Sequence, residues 1–155
     1  MTKFPLHGGC HCGAVRYVLS EPALSVQHCH CERCRKVYGT MFGTGAVVRR
    51  AAVSIRGKDN LTVYRSSPTF PEYFCKTCGC HLYGYEESEP LLMYIAPATL
   101  DGGVHPGHPP DKESHIFMRS KAEWDRTADE LAKYETTSPD EIITGLQKAE
   151  ILDRQ

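Results

Sequence analysis

The chain predicts a mainly β fold of small antiparallel sheets, stapled by zinc and closed by one C-terminal helix. Three observations carry this expectation. Short stretches of alternating apolar and polar residues, separated by turn sequences, fill the first two-thirds. Eight cysteines fall into three tight clusters instead of spreading along the chain. A complete helix-start signal occurs near the C-terminus.

The elements follow in order. Residues 14–19 alternate loosely after a glycine-rich stretch at 8–13, and residues 41–48 are β-rich but glycine-interrupted. Segments 53–56 and 61–65 alternate apolar and polar residues, joined by the turn Gly57-Lys58-Asp59-Asn60. Segments 72–74, 81–85, 91–95 and 114–118 continue the pattern. Short strands between turns suggest antiparallel sheets and not βαβ units. A short helix is expected over 32–38. Residues 96–112, rich in Pro and Gly, read as a connector that could also cover a site. Ser138-Pro139-Asp140-Glu141 is a capping box with Pro at the first helical position, followed by an apolar stripe from Ile142 to Leu152. Residues 1–137 thus form one domain. Residues 138–155 form a helix packed on it or on a partner subunit, which leaves a homodimer open.

A chain of 155 residues is long enough to bury a core. No segment approaches the ~20 apolar residues of a membrane span, and the first residues lack the apolar stretch of an export signal. That points to a reducing, cytoplasmic compartment in which clustered thiols stay available for metal. Net charge is −1, with eight basic and two acidic residues over 32–65 and an acidic remainder. So balanced a chain is a poor non-specific nucleic-acid binder, although its basic middle could steer a small acidic ligand.

Metal sites need thiolates delivered in short-range pairs, whereas disulfide frameworks close long loops. Cys10, Cys12 and Gly13 match Cys75, Cys78 and Gly79: a glycine after the second cysteine allows the tight turn whose N–H groups face a metal-bound sulfur. These four cysteines read as one closed structural zinc site. Cys29, Cys31 and Cys34 lack that glycine and offer three thiolates, the pattern of a zinc with an open fourth position. Cys80, His28, His30 or His81 could fill that position instead; Cys80 otherwise reads as a spare buried thiol. Three thiolates weaken zinc as a source of hydroxide but suit a substrate thiol. Arg33, Arg35 and Lys36 stand nearby to compensate the charge. His115 reads as a packed, hydrogen-bonded residue, Trp124 as a core anchor, and His105 and His108 as solvent-loop residues.

The segments Gly9–Tyr17, Cys29–Lys36 and Phe74–Gly79, in this order, resemble the glutathione-dependent formaldehyde-activating enzyme family, whose domain also occurs in centromere protein V. Ser114–Phe117 and Trp124-Asp125 resemble its closing motif. The resemblance implies an Mss4-like fold with two zinc ions per chain. One would be structural on Cys10, Cys12, Cys75 and Cys78; the other would be catalytic on Cys29, Cys31 and Cys34. It implies a carbon–sulfur lyase-type reaction, the reversible addition of the glutathione thiol to formaldehyde, with Arg33, Arg35 and Lys36 binding the carboxylates of glutathione. The alternative is a non-enzymatic module in which both zincs are structural and the surface binds a partner protein.

Overall fold

The computed structural model describes residues 1–138, in which eleven strands and one α-helix are linked by short 3-10 turns. The first strands are β1 (Leu6–Gly9), β2 (Arg16–Leu19) and β3 (Ser25–Cys29), followed by the helix α1 (Glu32–Tyr38). Then come β4 (Gly43–Arg49), β5 (Val53–Arg56), β6 (Leu61–Ser67), β7 (Phe70–Cys75) and β8 (His81–Gly84). The last are β9 (Leu92–Ile95), β10 (Glu113–Ile116) and β11 (Ala132–Lys133). The helix expected beyond Ser138 lies outside the described residues.

The strands form two sheets, one of three strands in the order β1-β2-β5 and one of eight in the order β11-β10-β3-β4-β9-β8-β7-β6. The mainly β expectation holds. Two pairings depart from it: β3 with β10 and β10 with β11 run parallel. Most of the chain separates β3 from β10, so no tight turn dictates their direction. The turn at 57–60 also departs from a simple hairpin, because β5 pairs with β2 while β6 pairs with β7. Here the chain crosses from one sheet to the other.

Burial explains the centre of the large sheet. Strand β4 is buried from Gly45 to Val48, as expected for a strand covered on both faces. Leu19, Val48, Leu82 and Ile95 are fully buried in a core to which both sheets contribute, and Cys10 and Cys75 belong to the same cluster. The 96–112 segment is a connector: Leu100 bridges to Gly8, and the Ala23 N–H donates to the Pro106 carbonyl at 2.9 Å.

Two single-residue expectations fail here. Trp124 is 71 % exposed. Its neighbour Asp125 turns inward instead, accepting from the Thr127 N–H and hydroxyl at 2.8 and 2.9 Å and lying 3.2 Å from His30 Nδ1, so the tail is anchored by a polar contact. His108 is buried with Nε2 3.2 Å from Glu113 Oε2, while its ring stacks on the exposed His105. Among the described residues no helix is long and apolar enough to cross a membrane.

These placements separate two substitutions sharply. Leu82→Ala empties a core position and should cost ~2–5 kcal/mol in chemical denaturation. Trp124→Ala should stay within about 0.5 kcal/mol of the parent, whereas a core anchor would lose several.

Candidate metal centres and the adjoining cavity

Cys10 follows β1 and Cys75 ends β7, so each sheet delivers one buried sulfur to the seam between them. Cys12 and Cys78 are exposed and occupy the two turns that follow. Gly13 and Gly79 adopt φ of 80° and 73°, the left-handed region that tightens both turns. Their N–H groups donate to the Cys10 and Cys75 carbonyls at 3.1 and 2.8 Å. The Val15 N–H faces the Cys10 sulfur at 3.3 Å. All four sulfurs lie within 4.8 Å of one another, with Cys10–Cys12 at 3.6 Å and Cys12–Cys75 at 3.7 Å. Thiolates at ~2.3 Å from a tetrahedral zinc are about 3.8 Å apart, so the cage fits that ion in size and softness.

The second cluster is built by the start of α1. Cys29 ends β3, Cys31 is the N-cap residue, and Cys34 lies in the first turn. The Cys34 N–H points at the Cys31 sulfur at 3.4 Å, and the Cys29 and Cys31 sulfurs are 3.5 Å apart. All three sulfurs lie within 4.8 Å. Hydrogen bonds from Cys29 and Cys34 pull the Cys31 thiol down to about 2. The same contacts push Cys29 up to about 11 and Cys34 higher still. Three sulfurs this close disfavour ionising together, and a soft cation among them would relieve that cost.

Each candidate for a fourth ligand is engaged elsewhere. The Cys80 thiol faces the His81 carbonyl at 3.5 Å and belongs to neither cluster. His28 contacts the Thr44 hydroxyl through Nδ1 and Glu113 Oε1 through Nε2, both at 2.9 Å. His30 is wholly buried. Its Nε2 lies 2.8 Å from His115 Nδ1, and its Nδ1 lies 3.2 Å from Asp125 Oδ2. Burial, then the neighbouring His115, keep the His30 imidazole below its ordinary range. His81 Nε2 lies 2.8 Å from Glu72 Oε2. Among the described residues, no His, Cys, Asp or Glu completes the trio. His115 is packed and hydrogen-bonded as expected, with Nε2 2.9 Å from Asp129 Oδ2.

A cavity of about 310 Å³ opens beside this cluster, with Cys29 and Cys34 in its wall. Of the three expected substrate-binding residues, Arg33 lines it, with its guanidinium 5.5 Å from the Phe70 ring centroid. Arg35 and Lys36 do not. Arg35 Nε donates to the His30 carbonyl at 3.3 Å, and the exposed Lys36 lies 3.5 Å from Glu32. Other basic residues of the middle segment pair with acids: Arg49 with Glu21 and Arg65 with Glu87. Tyr38, which the sequence offered with Tyr64, Tyr83 and Tyr85 as a core residue that could orient substrate, also lines the wall, and the wall residue Glu72 escaped the sequence reading. The one visible signal was a glutamate inside the aromatic run Phe70-Pro71-Glu72-Tyr73-Phe74.

Comparison with known proteins follows the same residues. The model of a family described as glutathione-dependent formaldehyde-activating enzyme matches residues 5–120. A Halomonas elongata protein provisionally given that name is 27 % identical over 129 residues, covering 77 % of this chain and 78 % of its own. A Penicillium rubens protein with the same provisional name is 35 % identical over 83 residues, or 52 % of this chain. That match spans 44 % of the fungal protein, less than half its length. The crystal structure of a Rhodobacter sphaeroides protein superposes with a TM-score of 0.53 at 32 % identity, covering 65 % of this chain and 92 % of that one.

The geometry sorts the cysteines by metal stoichiometry. Native mass spectrometry of the zinc-loaded protein should find one zinc fewer in Cys12→Ser and an unchanged count in Cys80→Ser. A pH effect follows from Asp129. Slight desolvation raises its pKa, but the His115 hydrogen bond and the Leu131 N–H outweigh it and hold the carboxyl at about 2. A depressed carboxyl stabilises the fold above its unfolded pKa of about 3.9, and that contribution fades as pH falls towards 2. Asp129 is 47 % exposed, so screening limits it to about 1 kcal/mol. Asp129→Asn should lower stability by that amount at pH 5 and by nothing near pH 2.

Proposed function

The chain belongs to the glutathione-dependent formaldehyde-activating enzyme family, and on that premise we propose that it activates a small thiol of the glutathione class for reversible addition to formaldehyde or a related small electrophile. The reaction is formally that of a carbon–sulfur lyase. The observation that carries this reading is a three-cysteine cluster, without a fourth protein ligand among the described residues, that faces a cavity through Cys29 and Cys34. Zinc held there by Cys29, Cys31 and Cys34 would supply a soft position at which a thiol stays deprotonated and nucleophilic. A second zinc, on Cys10, Cys12, Cys75 and Cys78, would be structural.

The chain's own residues give the cavity its selectivity. Arg33, in the wall, receives a substrate carboxylate through its planar fork of donors. Arg35 and Lys36, on the same helix but outside the lining, offset the negative charge of three thiolates. The walls from Tyr38, Phe70 and Tyr94 restrict water around the reacting centre. Thiols of this kind persist in a reducing compartment, so the proposal places the protein in the cytoplasm. The alternative, a partner-binding module with two closed zinc sites, lacks the fourth ligand it requires among the described residues.

Exchange spectroscopy on ¹³C-formaldehyde with glutathione reads the reaction directly. The zinc-loaded protein should accelerate S-hydroxymethylglutathione formation, and Cys31→Ser should abolish the acceleration. Arg33→Ala should raise KM for glutathione about tenfold or more with a smaller effect on kcat, the cost of one charge-assisted contact. Equal rates with and without protein would refute the proposal.

A further inference from the structure

We propose that Glu72 is the proton-handling residue of this cavity, taking the proton of the incoming thiol and returning it to the oxygen of the hydroxymethyl product. The proposal rests on the thiol–aldehyde reaction proposed above and deepens it. Glu72 is 4 % exposed and lines the same cavity as Cys29 and Cys34. Burying a carboxylate is costly unless it is hydrogen-bonded, and this one is held on both oxygens. The Ser66 hydroxyl donates to Oε1 at 3.0 Å, and His81 Nε2 lies 2.8 Å from Oε2. Each oxygen keeps a second lone pair free to take a proton.

The surroundings are shaped around that carboxylate. Gly84 stands opposite Glu72 in the β7–β8 register, and a Cβ there would come within 2.5 Å of Oε2. Any larger residue would displace the carboxylate from its place in the wall. His81 is fixed in turn by aromatic contacts, 4.3 Å from the Tyr38 ring and 4.9 Å from the Phe74 ring between centroids.

Tyr38 packs on the His81 ring that holds the carboxylate and shares a helix with Cys34. It lies one helical turn beyond Cys34 on α1, and both face Gly43, whose Cβ would meet the Tyr38 ring at 2.8 Å and Cys34 Cβ at 3.1 Å. Burial, then the negative charges of Glu72, Cys34 and Cys29, hold the phenol well above its ordinary range. The groups facing Glu72 are His81 from β8, Ser66 from β6 and Tyr38 from α1, with Arg33, Glu86 and Glu89 elsewhere in the lining.

The proton balance closes without an added reagent. The thiol gives its proton to Glu72, and the sulfur lone pair forms the carbon–sulfur bond. The carbonyl π pair moves to oxygen, which takes the proton back from Glu72. In the reverse direction Glu72 removes the hydroxyl proton and the carbon–sulfur bond breaks. A group working in both directions fits a reversible reaction.

Calorimetry of glutathione binding in buffers of different ionisation enthalpy counts the protons released per thiol bound. Zinc-loaded wild type should release fewer protons than Glu72→Gln, which has no base to retain them. The same variant should lose ~10²–10⁴-fold in kcat with KM for glutathione unchanged. Equal proton counts with binding intact would overturn this inference while leaving the proposed function standing. Absence of glutathione binding in wild type would overturn the proposed function and this inference with it. If Glu72→Gln fails to fold, Glu72→Asp decides: it keeps the charge but withdraws the carboxylate by one methylene. A tenfold or greater fall in kcat supports the proposal, and an unchanged kcat overturns it.

Discussion

Four sulfur atoms at the seam between the two sheets impose a constraint that the apolar core alone does not meet. Cys10 and Cys75 are packed into the same cluster as Leu19, Leu82 and Ile95, yet they arrive from different sheets. Thiolates within 4.8 Å repel one another, and protonated thiols contribute only as small hydrophobes. A soft dication turns the same four atoms into a cross-link. In small zinc modules such a site is worth about 10 kcal/mol or more, comparable with the whole stability of a typical domain. The residues present fit that role in donor type, spacing and turn geometry.

The constraint at the seam also shapes the cavity. Strand β7 ends in Cys75 and carries Phe70 and Glu72 three to five residues earlier, on the wall facing α1. Fixing the end of β7 against the first hairpin therefore fixes the carboxylate relative to the second cysteine cluster. The partner elements are anchored differently. Cys29 and Cys31 flank His30, whose buried ring meets His115 and Asp125 from the tail. One side of the cavity would be held by a metal among the four sulfurs, the other is held by a chain of buried polar contacts.

Sequence exposed the cysteine clusters better than their surroundings. Short-range cysteine spacing is local information, and both clusters assembled from the residues that spacing had paired. The expected helix at 32–38 and the strand at 53–56 coincide with α1 and β5 for the same reason: cap, turn and alternation lie within a few residues. Strand β3 was not legible, because Ser25-Val26-Gln27-His28-Cys29 carries little strand signal and is made a strand by its neighbours β4 and β10. Its parallel pairing with β10 is likewise a long-range fact. Trp124 went astray because hydrophobicity favours burial, whereas the tail here buries Asp125. Glu72 joins the cavity only through the β6–β7–β8 register and the docking of α1. No local pattern contains that arrangement.

The proposed function requires the three-cysteine cluster to accept an external thiol as its fourth ligand. Titrating the cobalt-substituted protein with glutathione tests it most directly, through the thiolate-to-metal and d–d absorption bands. A saturable spectral change is expected, absent in Cys31→Ser, in which Cys10, Cys12, Cys75 and Cys78 would still hold cobalt. A spectrum that does not respond to glutathione, with both sites already saturated by protein ligands, would contradict it.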